Sequence, residues 1–281
     1  MTLTRHDSPF PHWQFTAASG DQLRVVPERG GLVVGWRCEG EERLYFDVER
    51  FADPGKSVRG GIPVLFPVCG NLPGNELVLP QGSFTLAQHG LARDLPWQLE
   101  ALAGGEGLRL SLSDSAATRA VYPFAFQLSL EYRLEPGALA IQARVEHRGD
   151  GDLAAAMPFA LGLHPYFQVE SLAQARLEGL PAGCFDHLSA AAASTADQLQ
   201  RLEQGVDLRV DGEGLRPQLR TGRGGVELQM QPPFQHAVVW TDPPRPMVCL
   251  EPWSGRRGEL SQQLQPGASA ELRCRYALTP A

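Results

Sequence analysis

Lysine is almost absent from this sequence, and its scarcity excludes one class of enzyme chemistry. Lys56 is the only lysine, and arginine supplies every other basic side chain apart from the histidines. A Schiff-base mechanism needs a lysine amine that an apolar or cationic environment keeps neutral and nucleophilic. Lys56 lies in the polar stretch 53–57, which offers no such environment. We therefore discount covalent catalysis through an amine.

The sequence also lacks the residue spacings that mark disulfide frameworks and metal sites. Its five cysteines are odd in number and widely scattered, and no two of them form a C-x-x-C pair. No H-x-x-H or H-E-x-x-H motif is present. These absences argue against a disulfide framework, a zinc ribbon and a metal centre. We expect five reduced and mostly buried thiols, at Cys38, Cys69, Cys184, Cys249 and Cys274.

Neither a long apolar run nor an excess of positive charge is present. No run approaches the length that spans a membrane, and residues 1–9 lack the apolar core of a signal peptide. The formal net charge is −7, which disfavours nucleic acid or an anionic membrane as the main partner. We expect a soluble, cytoplasmic monomer that binds neither nucleic acid nor membrane.

Turn residues and period-two alternation are what the sequence has in abundance. Glycine and proline together number 53 (30 plus 23), a density that favours many turns over long helices. Apolar and polar residues alternate over 124–134 and again over 139–145, after a turn at 135–137, which predicts a β-hairpin. The same alternation recurs in three shorter runs, at residues 108–112, 226–230 and 272–276.

The distribution of these strands determines the predicted fold class. Strands follow one another from end to end without alternating helical segments, so the fold is predicted to be all-β. We expect one large antiparallel β-sandwich, formed by a single domain over residues 1–281. Residues 188–202, with their alanine run, are either a helix or a long polar excursion between strands.

Two apolar runs lead into a titratable residue that is followed by a proline and an aromatic residue. One is Leu-His-Pro-Tyr at 163–166, and the other is Leu-Glu-Pro-Trp at 250–253. A residue before proline favours extended backbone, so we expect His164 and Glu251 at the ends of buried strands. An imidazole and a carboxylate fixed beside aromatic rings suit proton transfer on a ring-shaped polar substrate. We expect the two side chains to face one another across a cleft that fits a pyranose between them.

Three further segments carry side chains that can hold such a substrate, and each also has a plainer interpretation. Arg59, before two glycines and an apolar run, faces the substrate or is a solvated residue at the turn into a strand. His89 and Arg93 face one pocket if the intervening glycine bends the backbone, or else Arg93 merely contacts Asp94 at the surface. Asp242, which precedes a proline, accepts hydrogen bonds from hydroxyl groups or closes an Asx turn.

Taken together and in order, these segments resemble the aldose 1-epimerase (galactose mutarotase-like) family, and most closely its hexose-6-phosphate 1-epimerase branch. The resemblance rests on RGGIP at 59–63, HGLAR at 89–93, LHPYF at 163–167 and EPW at 251–253. It covers nearly the whole chain, from about residue 24 to the C-terminus. The family implies a β-supersandwich that interconverts the α and β anomers of an aldose, a sugar or sugar phosphate, without a metal or organic cofactor.

The resemblance also implies a role for each candidate residue. Glu251 matches the general base that takes the proton of the anomeric hydroxyl, and His164 matches the general acid at the ring oxygen. His89 matches a second histidine that holds or polarises the ring side of the sugar. The remaining matches are substrate-binding residues, a carboxylate for sugar hydroxyls and two arginines that would meet a 6-phosphate: Asp242, Arg59 and Arg93.

Two other functions compete with this interpretation. A non-catalytic carbohydrate-binding β-sandwich would keep the aromatics and arginines but would not need both His164 and Glu251. A glycoside hydrolase needs two carboxylates that flank the scissile bond, and only Asp242 is available beside Glu251. Sugar binding without anomer exchange would favour the first alternative, and release of nitrophenol from aryl glycosides would favour the second.

Overall fold

The protein is built from short strands separated by turns, as the alternation predicts; the structure, a computed structural model, describes residues 1–153, 155–222 and 224–280. In chain order the strands are β1 Thr2–His6, β2 His12–Thr16, β3 Gln22–Val26, β4 Leu32–Cys38, β5 Glu41–Glu42, β6 Val64–Leu65, β7 Glu76–Leu79, β8 Gly82–Thr85, β9 Gln98–Ala101, β10 Gly107–Ser113, β11 Phe126–Glu135, β12 Ala138–His147 and β13 Met157–Phe159. They continue with β14 Gly162–Leu163, β15 Tyr166–Gln168, β16 Arg176–Glu178, β17 Gly183–Asp186, β18 Ala191–Ser194, β19 Asp207–Asp211, β20 Gln218–Thr221, β21 Gly224–Met230, β22 His236–Trp240, β23 Met247–Trp253, β24 Gln262–Leu264 and β25 Ser269–Thr279.

Helices in the described part of the chain are short. The α-helices are α1 Val48–Phe51, α2 Ala116–Arg119 and α3 Thr195–Leu199, and the 3-10 helices are Pro73–Asn75, Ala92–Asp94, Gly151–Leu153 and Leu202–Gln204. Residues 188–202 hold the strand β18 and then α3, so the helix interpretation is correct only for residues 195–199, and the strand was not predicted. Ser194 ends that strand and caps the helix, since its hydroxyl accepts a hydrogen bond from the Asp197 N–H. None of the helices that the structure describes is long and apolar enough to cross a membrane.

The strands form two large sheets and one smaller one. The first sheet has the order β16-β20-β21-β25-β12-β11-β10-β9, and the second has the order β18-β17-β19-β22-β23-β14-β6, with β15 also paired to β23. Strands β1 to β5 form a five-stranded sheet, and two further pairs are β7-β8 and β13-β24. This architecture confirms the predicted all-β sandwich.

The first sheet contains the hairpin that the alternation predicts. Strands β11 and β12 pair in antiparallel fashion from Phe126 opposite His147 to Glu135 opposite Ala138. The apolar side chains of β11 point inward and pack against those of the second sheet, such as Val239 in β22, in one contiguous core. That the chain forms a single domain over residues 1–281 stays a prediction. All five cysteines are free and buried, as predicted.

The second sheet has two different faces, and β23 shows why. Successive side chains of a strand point to opposite faces. Val248 and Leu250 therefore pack into the core shared with the first sheet, whereas Cys249 and Glu251 lie on the opposite face, which we call the outer face. The prediction that Glu251 ends a strand is wrong, because β23 continues through Pro252 to its last residue. Proline restricts the preceding residue to extended backbone, which continues a strand as readily as it ends one.

Candidate active site

A cavity of about 210 Å³ opens on the outer face of the second sheet. It is lined by segments that are far apart in sequence: the loop before β6, the loop before the 3-10 helix Ala92–Asp94, the junction of β14 and β15, and the strand β23. Five of the six candidate residues line this cavity: Arg59, His89, Arg93, His164 and Glu251. The sixth, Asp242, lies outside the cavity wall and contacts Arg59.

His164 and Glu251 lie side by side in this cavity. Strand β15 pairs with β23 so that Tyr166 is opposite Cys249, and two residues further along this register His164 reaches Glu251. The Nε2 atom of His164 is 3.4 Å from Oε1 of Glu251. The expected cleft with a pyranose between the two groups is therefore wrong, because this distance leaves no room for a ring. The spacing instead suits two oxygens bonded to one carbon.

Burial controls the protonation of this pair. The side chains of Glu251 and His164 are 1% and 12% exposed. Removal from water raises the pKa of Glu251 well above its usual value and lowers the pKa of His164 to about 3. Both shifts favour the neutral form, so burial favours the state in which the pair holds a single proton, on the carboxylate. Moving that proton to the imidazole leaves the total number of protons unchanged.

Aromatic side chains fix the orientation of both groups. The ring of His164 stacks on Tyr166, with centroids 4.8 Å apart and planes 14° apart, and meets the edge of Trp240 at 5.6 Å. The indole Nε1 of Trp253 donates a hydrogen bond of 2.9 Å to Oε2 of Glu251. Because the indole occupies Oε2, the other carboxylate oxygen is the one directed at His164.

His89 is held in one tautomer by a neighbouring loop. The intervening Gly90 has a backbone φ of +74°, the left-handed bend that the sequence requires if His89 and Arg93 are to face one pocket, and His89 itself has a φ of +64°. The backbone N–H of Gly70 donates to Nδ1 of His89 at 3.0 Å, so the neutral ring carries its proton on Nε2. Burial, followed by repulsion from the protonated form of His164 and from Arg93, lowers the pKa of His89 well below its usual value. His89 is therefore a neutral hydrogen-bond donor. The predicted contact of Arg93 with Asp94 is also present, at 3.6 Å.

Arg59 reaches the cavity from a tight bend and is held by Asp242. Its Nε donates to Oδ2 of Asp242 at 2.9 Å, and its guanidinium lies 5.4 Å from the ring centroid of Trp240. The bend needs glycine, because a Cβ on Gly60 would lie 2.5 Å from Cα of Phe46. The observed contact makes Asp242 a support for Arg59.

Two charged residues of the cavity wall were not found from the sequence. Asp207, the first residue of β19, accepts a 2.7 Å hydrogen bond from Nη2 of Arg257, and both line the cavity. Burial raises the pKa of Asp207. The alternation of β19 is a signal that could have placed Asp207 on a polar face. Arg257 lies in the loop after β23, where no local pattern marks it.

Comparisons with known proteins place the chain among sugar epimerases. Residues 15–277 match the aldose 1-epimerase family. Over 156 residues the chain is 29% identical to a protein of Escherichia coli (strain K12) that is provisionally named as a glucose-6-phosphate 1-epimerase. The match covers 54% of this chain and 47% of that protein, so it spans about half the length of that relative.

Solved structures show the same fold over the full chain. The Slr1438 protein of Synechocystis sp. PCC 6803 is similar with a TM-score of 0.89 and 33% identity, covering 100% of this chain and 99% of that one. A galactose mutarotase-like protein of Clostridium acetobutylicum is similar with a TM-score of 0.81 and 14% identity, again over 100% and 99% of the two chains. At so low an identity the second similarity concerns the fold alone.

Proposed function

We propose that this chain, which belongs to the aldose 1-epimerase family, interconverts the α and β anomers of a hexose or a hexose 6-phosphate. The observation that carries the proposal is the pair of His164 and Glu251, whose Nε2 and Oε1 atoms lie 3.4 Å apart in the cavity. Ring opening of a sugar removes a proton from the anomeric hydroxyl and adds one to the ring oxygen. These two oxygens are bonded to the same carbon, so an acid and a base held side by side can serve both.

The proton transfers follow from this geometry. Glu251 takes the proton of the anomeric hydroxyl while His164 gives its proton to the ring oxygen. The bond between C1 and the ring oxygen breaks, its electrons stay on that oxygen, and the anomeric oxygen becomes a carbonyl. The open aldehyde rotates about the C1–C2 bond, and the reverse transfers close the ring as the other anomer.

One shared proton is sufficient for the whole cycle. It resides on His164 while the ring is closed and on Glu251 while the ring is open. Burial favours the second arrangement in the empty cavity, because both side chains are then neutral. The protonation state that burial favours is therefore the one that accompanies the ring-opened intermediate.

Neighbouring side chains complete the proposed substrate site. His89 offers its Nε2–H to an oxygen on the ring side of the sugar, because Gly70 occupies Nδ1. Asp207 lines the cavity and Asp242 does not. We therefore assign the binding of the sugar hydroxyls to the carboxylate of Asp207. Asp242 then acts through Arg59, to which it is hydrogen-bonded.

Arginines at the cavity support a phosphorylated substrate. Arg59 and Arg93 both line it, and the Nε of Arg93 lies 3.6 Å from Asp94, too far for a hydrogen bond. A guanidinium whose donors are not all satisfied by the protein can bind a phosphate oxygen. We assign the 6-phosphate to these two arginines.

The test is anomer exchange measured by polarimetry or saturation-transfer NMR on freshly dissolved α-glucose and α-glucose 6-phosphate. Glu251→Gln and His164→Asn should each lower kcat/KM by about 10²- to 10⁴-fold, the usual contribution of a positioned acid or base. The double variant should be little worse than either single variant, because the two groups act as a unit.

Controls separate the chemistry from folding. Glu131→Gln changes the same functional group on β11 of the first sheet, away from the cavity, and should keep the wild-type rate. Wild-type rates in Glu251→Gln or His164→Asn would refute the assigned roles. Sugar binding by calorimetry without any anomer exchange would instead identify a non-catalytic binding protein.

A further inference from the structure

A third potential metal-binding atom lies next to the proposed acid and base. The Sγ of Cys249, a nitrogen of the His164 ring and a carboxylate oxygen of Glu251 all lie within 4.8 Å of one another. Cys249 and Glu251 are two residues apart on β23, so their side chains project from the same face of the sheet. His164 approaches the same face from the adjacent segment between β14 and β15, where β15 pairs with β23.

The three donors form a set that soft and borderline divalent cations prefer. Thiolate, imidazole and carboxylate are the protein ligands of Zn²⁺, and three of them with one open position are typical of zinc sites that bind a further molecule. Ligand atoms around a tetrahedral zinc lie about 3.5 Å apart, given metal–ligand distances of about 2.0–2.3 Å. The 3.4 Å between Nε2 of His164 and Oε1 of Glu251 already matches this spacing.

The thiol of Cys249 is held only weakly by its surroundings. The Sγ of Cys249 donates its weak hydrogen bond to the thioether of Met247 at 3.9 Å, so no strong hydrogen bond must be broken to free it. An ion can reach the group from the cavity, because His164 and Glu251 line it.

We propose that Cys249, His164 and Glu251 form an inhibitory site for a thiophilic divalent cation such as Zn²⁺ or Cd²⁺. Binding forms three metal–ligand bonds, the Cys249 thiol and the protonated Glu251 carboxyl each release a proton to solvent, and no atom changes oxidation state. The bound cation occupies the lone pairs of both His164 and Glu251, so neither can transfer a proton. The inhibition rests on the function proposed above, whereas the binding does not.

The experiment titrates Cd²⁺ alone into the full chain without sugar and follows the ultraviolet charge-transfer band of the cadmium–thiolate bond. The wild type should show the band with one Cd²⁺ per chain. Cys249→Ala should lose the band and bind Cd²⁺ more than about 10-fold more weakly, since even residues that only support a ligand are worth about 10- to 100-fold. Cys249→Ser serves as a second variant of nearly unchanged volume.

Cys69→Ala is the matched control, because Cys69 is also fully buried and its thiol is close enough to Glu251 to sense its charge. Cys69 is not part of the group of three donors, so this variant should keep the band. Anomer exchange, expressed relative to the metal-free rate of each variant, should then be blocked by Cd²⁺ in the wild type and far less in Cys249→Ala. The absence of a thiolate band in the wild type, or its persistence in Cys249→Ala, would overturn the site and leave the epimerase proposal untouched. A protein that shows the band but no anomer exchange would support the metal site and overturn the epimerase proposal.

Discussion

Glu251 and His164 titrate as one unit, because 3.4 Å separates their facing atoms and both are withdrawn from water. Burial alone would make each of them a poor catalyst, since it favours a protonated carboxyl group and a neutral imidazole. In the proposed reaction they act together as a base and an acid, and their two states differ only by the position of one proton. Trp253 and Tyr166 fix the geometry of that exchange from either side.

This coupling predicts the pH profile. Falling pH adds a second proton only at His164, whose pKa burial lowers to about 3, and rising pH removes the single proton only above the raised pKa of Glu251. After subtraction of the uncatalysed reaction, kcat/KM should therefore fall on the acid side only near the lowered pKa of His164, well below the usual histidine range. A limb with its midpoint near about 6.5, the usual value for histidine, would show that His164 titrates independently.

A second prediction at this scale distinguishes two carboxylates. Asp207→Asn should raise KM for both glucose and its 6-phosphate by about 10-fold or more, since a buried hydrogen bond to a charged group is worth about 1.5–3 kcal/mol. Asp242→Asn should affect the 6-phosphate more than glucose, because Asp242 acts by holding Arg59. Michaelis constants from NMR exchange rates test both variants. The opposite pattern would return the hydroxyl-binding role to Asp242.

At the scale of elements, β23 supplies side chains both to the core and to the proposed active site. Its alternation buries Val248 and Leu250 against the first sheet and leaves Glu251 on the outer face. A one-residue shift of register would exchange the two sets. Sequence alternation of this kind predicted the strands and the hairpin of β11 and β12, because period two is a local property of the chain.

The site was predictable only where a local signal marked it. The prolines after His164 and Glu251 supplied one such signal, and the bend at Gly90 supplied another. Asp207 and Arg257 were missed because they meet through the pairing of distant strands, with 2.7 Å between their side chains and 50 residues between them in sequence. The distance between acid and base was wrong for the same reason, since it depends on the register of β15 against β23.

The loop that carries His89 gives an element-scale prediction. A Cβ on Gly90 would lie 2.1 Å from the backbone oxygen of Phe66, whereas a Cβ on Gly74 would meet nothing within 4 Å, although both glycines have positive φ. Gly74→Ala should cost about 1–2 kcal/mol of unfolding free energy, the ordinary penalty of left-handed backbone. Gly90→Ala should cost about 1–3 kcal/mol more through overpacking and should slow anomer exchange by displacing His89. Urea unfolding of both variants measures the difference, and equal losses would show that Phe66 moves aside freely.

On the scale of the whole molecule, the two faces of the second sheet differ in role. One of its faces completes the large core, and the other presents charged and aromatic groups to the cavity. Burial of those groups nevertheless links the cavity to global stability, because an ionisable residue that folding keeps neutral makes unfolding depend on pH.

His89 makes that link measurable. Its pKa in the folded protein is well below the value of the unfolded chain, so the unfolded state binds an additional proton as pH falls below about 6.5. The contribution of neutral His89 to the unfolding free energy is therefore present above that pH and is lost as the solution becomes more acidic. His89→Gln should reduce the slope of unfolding free energy against pH by up to about 1.4 kcal/mol per pH unit between about pH 5 and 6.5. Urea titrations at several pH values test this, and an unchanged slope would mean that His89 takes up its proton in the folded state.

The single lysine gives experimenters a natural attachment point. The ammonium of Lys56 is 3.2 Å from a carboxylate oxygen of Asp53, and its side chain is 54% exposed. The next residue, Ser57, belongs to the cavity wall. An amine-reactive fluorophore would find one lysine side chain to label, next in sequence to a residue of the cavity wall, so ligand binding could be followed by fluorescence without altering any residue of the wall.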